Sequence, residues 1–441
     1  MITMERVKII SKLTLPISVA LGSTLTMALV DLAMVGRFGN HATAALGLSV
    51  FSNTLVLAFV SGIAPAVQGI VARRRGQGAA EAKCLPLNAG LLMALLVGTP
   101  LTVIGYWLSP LFFPVISHDP EVIKIGVPFL QILYLAVIAV GMDAAFRGFW
   151  TGMEKVKLYM TIVLFMQCMN GFLNYTLIFG HFGAPALGPR GAAIATASSL
   201  YAGVIVNFAM IYFRFRKDGF LKARPEASLL ARIFKLGLPG TVQEFLFAAG
   251  YIVFFMLVGR MGTAELAAAN VLTRFSLVAG LLAMSIGIAS ATLVSRTVGE
   301  GDLAGAARWG WDSGKLGIIL ITLLGVPLFL FPRLFLSIFL TNPATILMAV
   351  VPLRIMAAGT GVASLIYIFA YTLISVGDGN RVILVSFATQ WIFFLPAVWL
   401  VGPHLHYGLL QIWLLQAAYA GLATALITAI WVDGRWKRIK I

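Results

Sequence analysis

Charge is scarce in this sequence. Only 11% of its 441 residues are Asp, Glu, Lys or Arg, against about 25% in a soluble domain. Acids are scarcest, 16 against 32 Lys and Arg, and histidine occurs five times. The two cysteines, Cys84 and Cys168, lie far apart. They suggest neither a disulfide framework nor a thiolate metal centre, and both read as inert packing residues. No His or Cys cluster, nucleophile or paired acids stand out, so no catalytic residue, bound metal or cofactor is expected and an intramembrane enzyme is the weakest reading. His118, His181, His404 and His406 fall at the outer ends of apolar stretches. Strand-like alternation of polar and apolar residues is absent too, which argues against a membrane β-barrel.

What is abundant is hydrocarbon, since 60% of residues are hydrophobic. Apolar stretches recur near residues 11–36, 44–71, 86–113, 123–151, 158–180, 190–214, 232–259, 265–295, 314–338, 345–375, 382–402 and 407–432. At about 1.5 Å per residue each can cross a hydrocarbon core of about 30 Å. A chain that crosses lipid must satisfy its backbone internally, so helices are the form that fits. The expected fold is an all-α integral membrane protein of twelve transmembrane helices in two pseudo-symmetric six-helix lobes. Arg6, Lys8 and Lys12 ahead of the first stretch resemble a signal peptide, but the stretch is too long and lacks a small-residue cleavage site, so it reads as a retained first helix.

The net charge of +16 would suit a nucleic-acid binder only if it gathered on one solvated face. Here it sorts by loop. With the N-terminus inside, Arg37, Lys124, Arg190, Arg260 and Arg333 mark external ends, Arg274 and Arg354 lie within spans, and the other 25 fall at cytoplasmic loops, inner helix ends and termini. That asymmetry is the positive-inside signature, so both termini are expected in the cytoplasm and no nucleic-acid partner is expected.

Sliding the chain against itself reveals a duplication. Residues 15–78 align without a gap on 238–301: Leu15-Pro16 on Leu238-Pro239, Val35-Gly36-Arg37 on Val258-Gly259-Arg260, Gly39 on Gly262, Arg73 on Arg296. An even number of helices per repeat makes the halves parallel, an arrangement transporters use for alternating access. The polar stretch FRKDGFLKARPEASLLA at 215–231 divides an N-terminal lobe, 1–214, from a C-terminal lobe, 232–441.

Ionisable groups within a bilayer cost several kcal/mol and call for a reason. Counting from the helix ends places Asp31, Asn174 and Thr196 at one depth, with Asn170 one turn deeper than Asn174 on the same face. A carboxylate among amides and a hydroxyl can load and release a proton, because those partners hydrogen-bond either form. The repeat puts Phe254 where the first half has Asp31, so this chemistry belongs to one lobe. Pro16, fifteen residues before Asp31, is a natural bend point, and Pro239 repeats it. Asp143 and Arg147 are spaced for an i,i+4 ion pair, with cavity lining the alternative. Glu244, at another depth, is a weaker candidate for touching substrate or ion. Met142, Phe146, Phe165, Met166 and Met169 could line an apolar substrate cavity with Asp143 and Glu244, although most such residues simply pack. Arg274, Arg354 and Gln390 read as interhelical structure.

These residues resemble the multidrug and toxic compound extrusion (MATE) transporters, in particular their prokaryotic DinF-like branch. The resemblance rests on LTLP at 13–16, VDLAMVGRFG at 30–39, QGIVARRRGQG at 68–78, GPRGAAIAT at 188–196, LGLPG at 236–240 and VGRMGTAELAAANV at 258–271. It implies a V-shaped pair of lobes in the inner (plasma) membrane, a monomer surrounded by lipid, and export of cationic or amphiphilic drugs against protons or sodium ions. It also implies that Asp31 is the coupling acid, completed by Asn170, Asn174 and Thr196, and that its protonation is linked to bending of the first helix at Pro16. Relatives often carry an acid where this chain has Asn174, and that departure favours protons over sodium. A lipid-linked saccharide flippase of the same superfamily is the alternative, but it would call for a cationic cavity and extra helices.

Overall fold

The computed structural model describes residues 3–78, 84–216, 219–222 and 225–439, and among them there is no strand. Within the 215–231 stretch, positions 217–218 and 223–224 lie outside the described residues. Among the described residues, eleven helices are long and apolar enough to cross a membrane. In the N-terminal half these are α1 (Met4–Gly36), α2 (Asn40–Gly76), α3 (Leu85–Ile116), α5 (Val156–Phe179) and α6 (Pro189–Phe215). Between α3 and α5, Pro120–Leu135 and Val137–Gly152 meet at a 41° bend, and together they form the twelfth span, α4. The second half holds α7 (Ala227–Gly259), α8 (Thr263–Gly299), α9 (Leu303–Leu330), α10 (Pro343–Ser375), α11 (Gly379–His404) and α12 (Leu409–Asp433).

Local chemistry explains many of the helix ends. Asp119 caps α4, accepting from the Glu121 amide at 2.9 Å, and Pro120 occupies the first turn, where a missing N–H costs nothing. Asn342 and Pro343 repeat the device at α10, and Asp302 caps α9 by accepting from the Gly305 amide at 2.7 Å. Gly180 ends α5 in the left-handed region at φ 77°, which a side chain would disfavour. Gly39 and Gly262 precede α2 and α8, so the duplicated turn keeps its place in both repeats.

Contacts divide the chain into two compact units, Pro16–Thr241 on one hand and Met1–Leu15 with Val242–Ile441 on the other. The dividing points fall inside α1 and α7, at Pro16 and two residues after Pro239, so the polar 215–231 stretch lies within the first unit. The start of α7 belongs there because Gly62 of α2 and Gly237 of α7 touch backbone to backbone. A Cβ added at Gly62 would lie 2.1 Å from the Gly237 oxygen.

In the Pro16–Thr241 unit, the core beside the polar cluster comprises Val35, Leu46, Phe129, Leu133, Ile178 and Ala192. These residues bring together α1, α2, α4, α5 and α6. In the other unit, Phe254, the repeat partner of Asp31, is buried with Leu353, Phe394 and Trp413. Trp107, Leu111, Val115 and Phe213 are each more than 70% exposed, as suits side chains whose solvent is lipid. Cys84 is buried, but Cys168 is exposed, so the packing role expected of it is not met.

Candidate functional site

Three helices of the Pro16–Thr241 unit converge on a polar cluster. The C-terminal half of α1 carries Asp31, α5 carries Asn170 and Asn174 one turn apart, and α6 carries Thr196. Both amides are buried, Asn174 completely, while Asp31 and Thr196 are half-buried. Asn174 Nδ2 donates to Asp31 Oδ1 and, at 3.1 Å, to Asn170 Oδ1. Asn170 Nδ2 in turn lies 3.2 Å from Thr196 Oγ1. Turned over, the Asn170 amide would donate to Asp31 Oδ1 at 3.2 Å and accept from Thr196 Oγ1 at 3.2 Å. The carboxyl is therefore met by two amides, with the Thr196 hydroxyl behind Asn170, and no Lys or Arg among the described residues forms an ion pair with it.

Small residues let these groups meet. Gly191, one turn before Ala195 and Thr196, lies so close to α5 that a Cβ there would be 2.5 Å from the Leu177 oxygen. Ala192 and Ala193 are buried beside it. The GPRGAAIAT segment thus acts as a thin helical face that brings Thr196 against Asn170.

A second polar bridge joins α1 to α5. Gln167 Nε2 donates to Thr24 Oγ1 at 3.2 Å, and both residues stand seven positions before Asn174 and Asp31 on their helices. Sequence reasoning overlooked this pair. The signal was present, since Gln167, Asn170 and Asn174 fall at i, i+3 and i+7, the spacing of one helical face.

The other sequence candidates lie elsewhere. Asp143 does not form the ion pair that its spacing from Arg147 allowed; no contact under the salt-bridge distance joins them, and Asp143 Oδ2 accepts from Tyr159 OH at 3.1 Å instead. The tyrosine enters from α5, a partner that α4 alone could not disclose. Phe146 is fully buried and meets Phe208 edge-on at 5.1 Å, while Met166 is buried where α6 has Gly203. Phe165 is exposed, and Met142 and Met169 are half-buried. Glu244 lies in the other unit, where its Oε1 accepts from Tyr371 OH at 3.2 Å.

Comparison with known proteins matches this architecture. The chain is 25% identical to the probable multidrug resistance protein NorM of Thermotoga maritima, over 97% of this chain and 92% of that one. It is also 25% identical to the multidrug resistance protein NorM of Aliivibrio fischeri, over 89% and 86%. Its fold is similar to the bent form of the Vibrio cholerae MATE transporter VcmN, with a TM-score of 0.88 at 16% identity over 98% and 97% of the two chains. A MOP superfamily transporter from Pyrococcus furiosus superposes with a TM-score of 0.87 at 15% identity over 98% and 97%. The MatE family profile matches residues 16–176 and again 239–400, two copies that begin 223 residues apart, the same interval that aligns Pro16 with Pro239. Two matches that cover most of the chain, one on each repeat, place it in the MatE family, whose members here are transporters and not enzymes.

Proposed function

We propose that this chain exports small organic cations or amphiphilic compounds in exchange for protons, with Asp31 taking up and releasing the proton. One observation carries the reading: Asp31 is held by neutral amides with no basic partner among the described residues, inside a span where an uncompensated acid is costly. Ionised, it accepts from Asn174 and, with the amide turned, from Asn170. Protonated, it can donate to an amide oxygen. The same residues therefore serve both states and differ only in which way the amides face. The names of the NorM relatives support export of multiple drugs. The proposal places the chain in the inner membrane as a monomer, with both termini in the cytoplasm on the strength of its Lys and Arg asymmetry.

Sodium coupling is the competing reading, because amide and hydroxyl oxygens also suit a hard cation. The cluster offers a single carboxylate, and a neutral Asn stands at 174, which favours the proton. In proteoliposomes loaded with a fluorescent organic cation, an imposed proton gradient should drive transport and a sodium gradient alone should not. Transport driven by sodium at equal pH would replace the proton with sodium.

The proposal couples Asp31 to a rearrangement of α1 at Pro16. Proline cannot donate to the Lys12 carbonyl, so α1 lacks one internal hydrogen bond where the chain passes between its two compact units. Replacing Pro16 with Ala restores that bond and should slow turnover several-fold while leaving substrate affinity near wild type. Unchanged turnover would remove the bend from the mechanism.

A further inference from the structure

Besides Asp31, one other acid among the described residues lies well inside a span of the Pro16–Thr241 unit: Asp143, nine residues before the end of α4. The coupling chemistry above does not use it. Its Oδ2 accepts from Tyr159 OH at 3.1 Å, while its Oδ1 is buried and has no hydrogen-bond partner among the described residues. The residue as a whole is half-buried, so a proton can reach it without unfolding. Two groups act on it electrostatically, Tyr159 from α5 and Arg147 one turn further along α4; from α2, α3 and α6, which also pack on this part of α4, no charged side chain among the described residues does. Arg147 attracts the carboxylate but stays beyond ion-pair distance. A carboxylate in a span with one oxygen unmatched is costly, and taking up a proton relieves that cost. Tyr159 serves both states, because a hydroxyl donates to the carboxylate and accepts from the acid.

One helix carries the partners of both acids. At about 100° per residue, Tyr159, Gln167, Asn170 and Asn174 fall within about 80° of arc, so they share a face of α5. Tyr159 stands in the first turn of α5 and Asn174 near its other end, about 22 Å apart along the axis. With both termini cytoplasmic, α4 ends and α5 begins on the inner side. Asp143 is then the inner acid and Asp31 the outer one. Val163, buried on the same face midway between Tyr159 and Gln167, interrupts the polar line. An unbroken line would leak protons without export, so the interruption ties passage to a rearrangement of the lobe.

We infer that Asp143 is a second proton-exchanging residue, which takes up the proton that Asp31 gives up and passes it to water on the inner side, with Tyr159 as its positioning partner. An O–H bond forms at the unmatched Oδ1 as the proton arrives and breaks as the proton leaves to water; no electron moves. The inference rests on the reading of Asp31 as the proton carrier, and it adds the inner station that the Asp31 cluster lacks.

The test uses radiolabelled ethidium, an organic cation, with the purified full chain in proteoliposomes. Two modes are measured: export driven by an imposed proton gradient, and exchange of labelled for unlabelled ethidium at equal pH, which moves cargo without net proton movement. Asp143→Asn should slow driven export at least tenfold, since a positioned acid–base group commonly contributes about a hundredfold or more, and should leave exchange at the wild-type rate. Tyr159→Phe removes only the hydroxyl and should slow driven export several-fold, again without touching exchange. Asp143→Glu restores a carboxyl and should recover most of the driven rate. Driven export at the wild-type rate in a folded Asp143→Asn protein, or in Tyr159→Phe where the first variant does not fold, overturns the inference. An equal loss in both modes overturns it too, because Asp143 would then serve cargo or packing. Wild type separates the two readings: exchange that no proton gradient accelerates removes the coupling at Asp31 itself, whereas proton-driven export indifferent to Asp143 removes the inner station alone.

Discussion

Asp31→Asn should abolish proton-driven accumulation while leaving the protein folded and able to bind its cargo. The substitution preserves size and shape, and the new amide oxygen can still accept from Asn174 Nδ2, the donor that now serves the carboxylate. What disappears is a group that can exchange a proton. One pH unit corresponds to about 1.4 kcal/mol, so each proton exchanged can sustain about a tenfold concentration ratio of cargo per unit of pH difference. Without the exchange that ratio should relax to one. Two measurements check this: drug-stimulated proton release in proteoliposomes, and drug resistance of cells expressing the variant. A folded Asp31→Asn protein that accumulates cargo as wild type does under a proton gradient would show that coupling lies elsewhere. Asp31→Glu keeps the charge on a longer stem and should retain part of the activity.

The second large effect is expected at Gly62, where α2 meets α7. A Cβ there would come within 2.1 Å of the Gly237 carbonyl oxygen and 2.5 Å of Thr241 Oγ1. The first of these is backbone, which cannot rotate away, so Gly62→Ala must force the helices apart. Overpacking of this kind costs about 1–3 kcal/mol, and occasionally more, which is a large part of a typical folding stability. Gly47 provides the internal control, because it lies on the same helix with no other group within 4 Å of the added Cβ. Gly47→Ala should be neutral or should stabilise by about 0.5–1 kcal/mol through its better helix propensity. Thermal unfolding in detergent should therefore shift in opposite directions for the two variants, and equal midpoints would show that the close approach is not a constraint.

Much of the polar cluster was readable before any coordinates, because depth and face are simple functions of residue number on a helix. Counting at 1.5 Å per residue placed Asp31, Asn174 and Thr196 together, and the i,i+4 spacing put Asn170 beside them. Spacing failed where a partner came from another helix. Arg147 is the i+4 neighbour of Asp143, yet Tyr159 takes the hydrogen bond. Gln390 read as ordinary interhelical structure, but α11 takes wider π-helical turns over Ala388–Phe394 and Gly250 leaves the space that Gln390 fills, which brings it into a cavity with Trp413. No periodicity reports a π-helical turn, because it depends on how many residues a helix must fit between fixed neighbours.

By itself the amino-acid sequence determined the helical, membrane-spanning class, the duplication at an interval of 223 residues, and the confinement of the acid to one repeat. Each of these is a property of composition or of regular spacing along one chain. Tertiary structure alone decided which donors meet Asp31, that Asp143 turns to Tyr159, where the two compact units divide α1 and α7, and that Gln390 enters an aromatic cavity of the second lobe. Those outcomes depend on side chains from helices far apart in sequence, whose relative rotation and depth are set by close contacts such as Gly62 on Gly237.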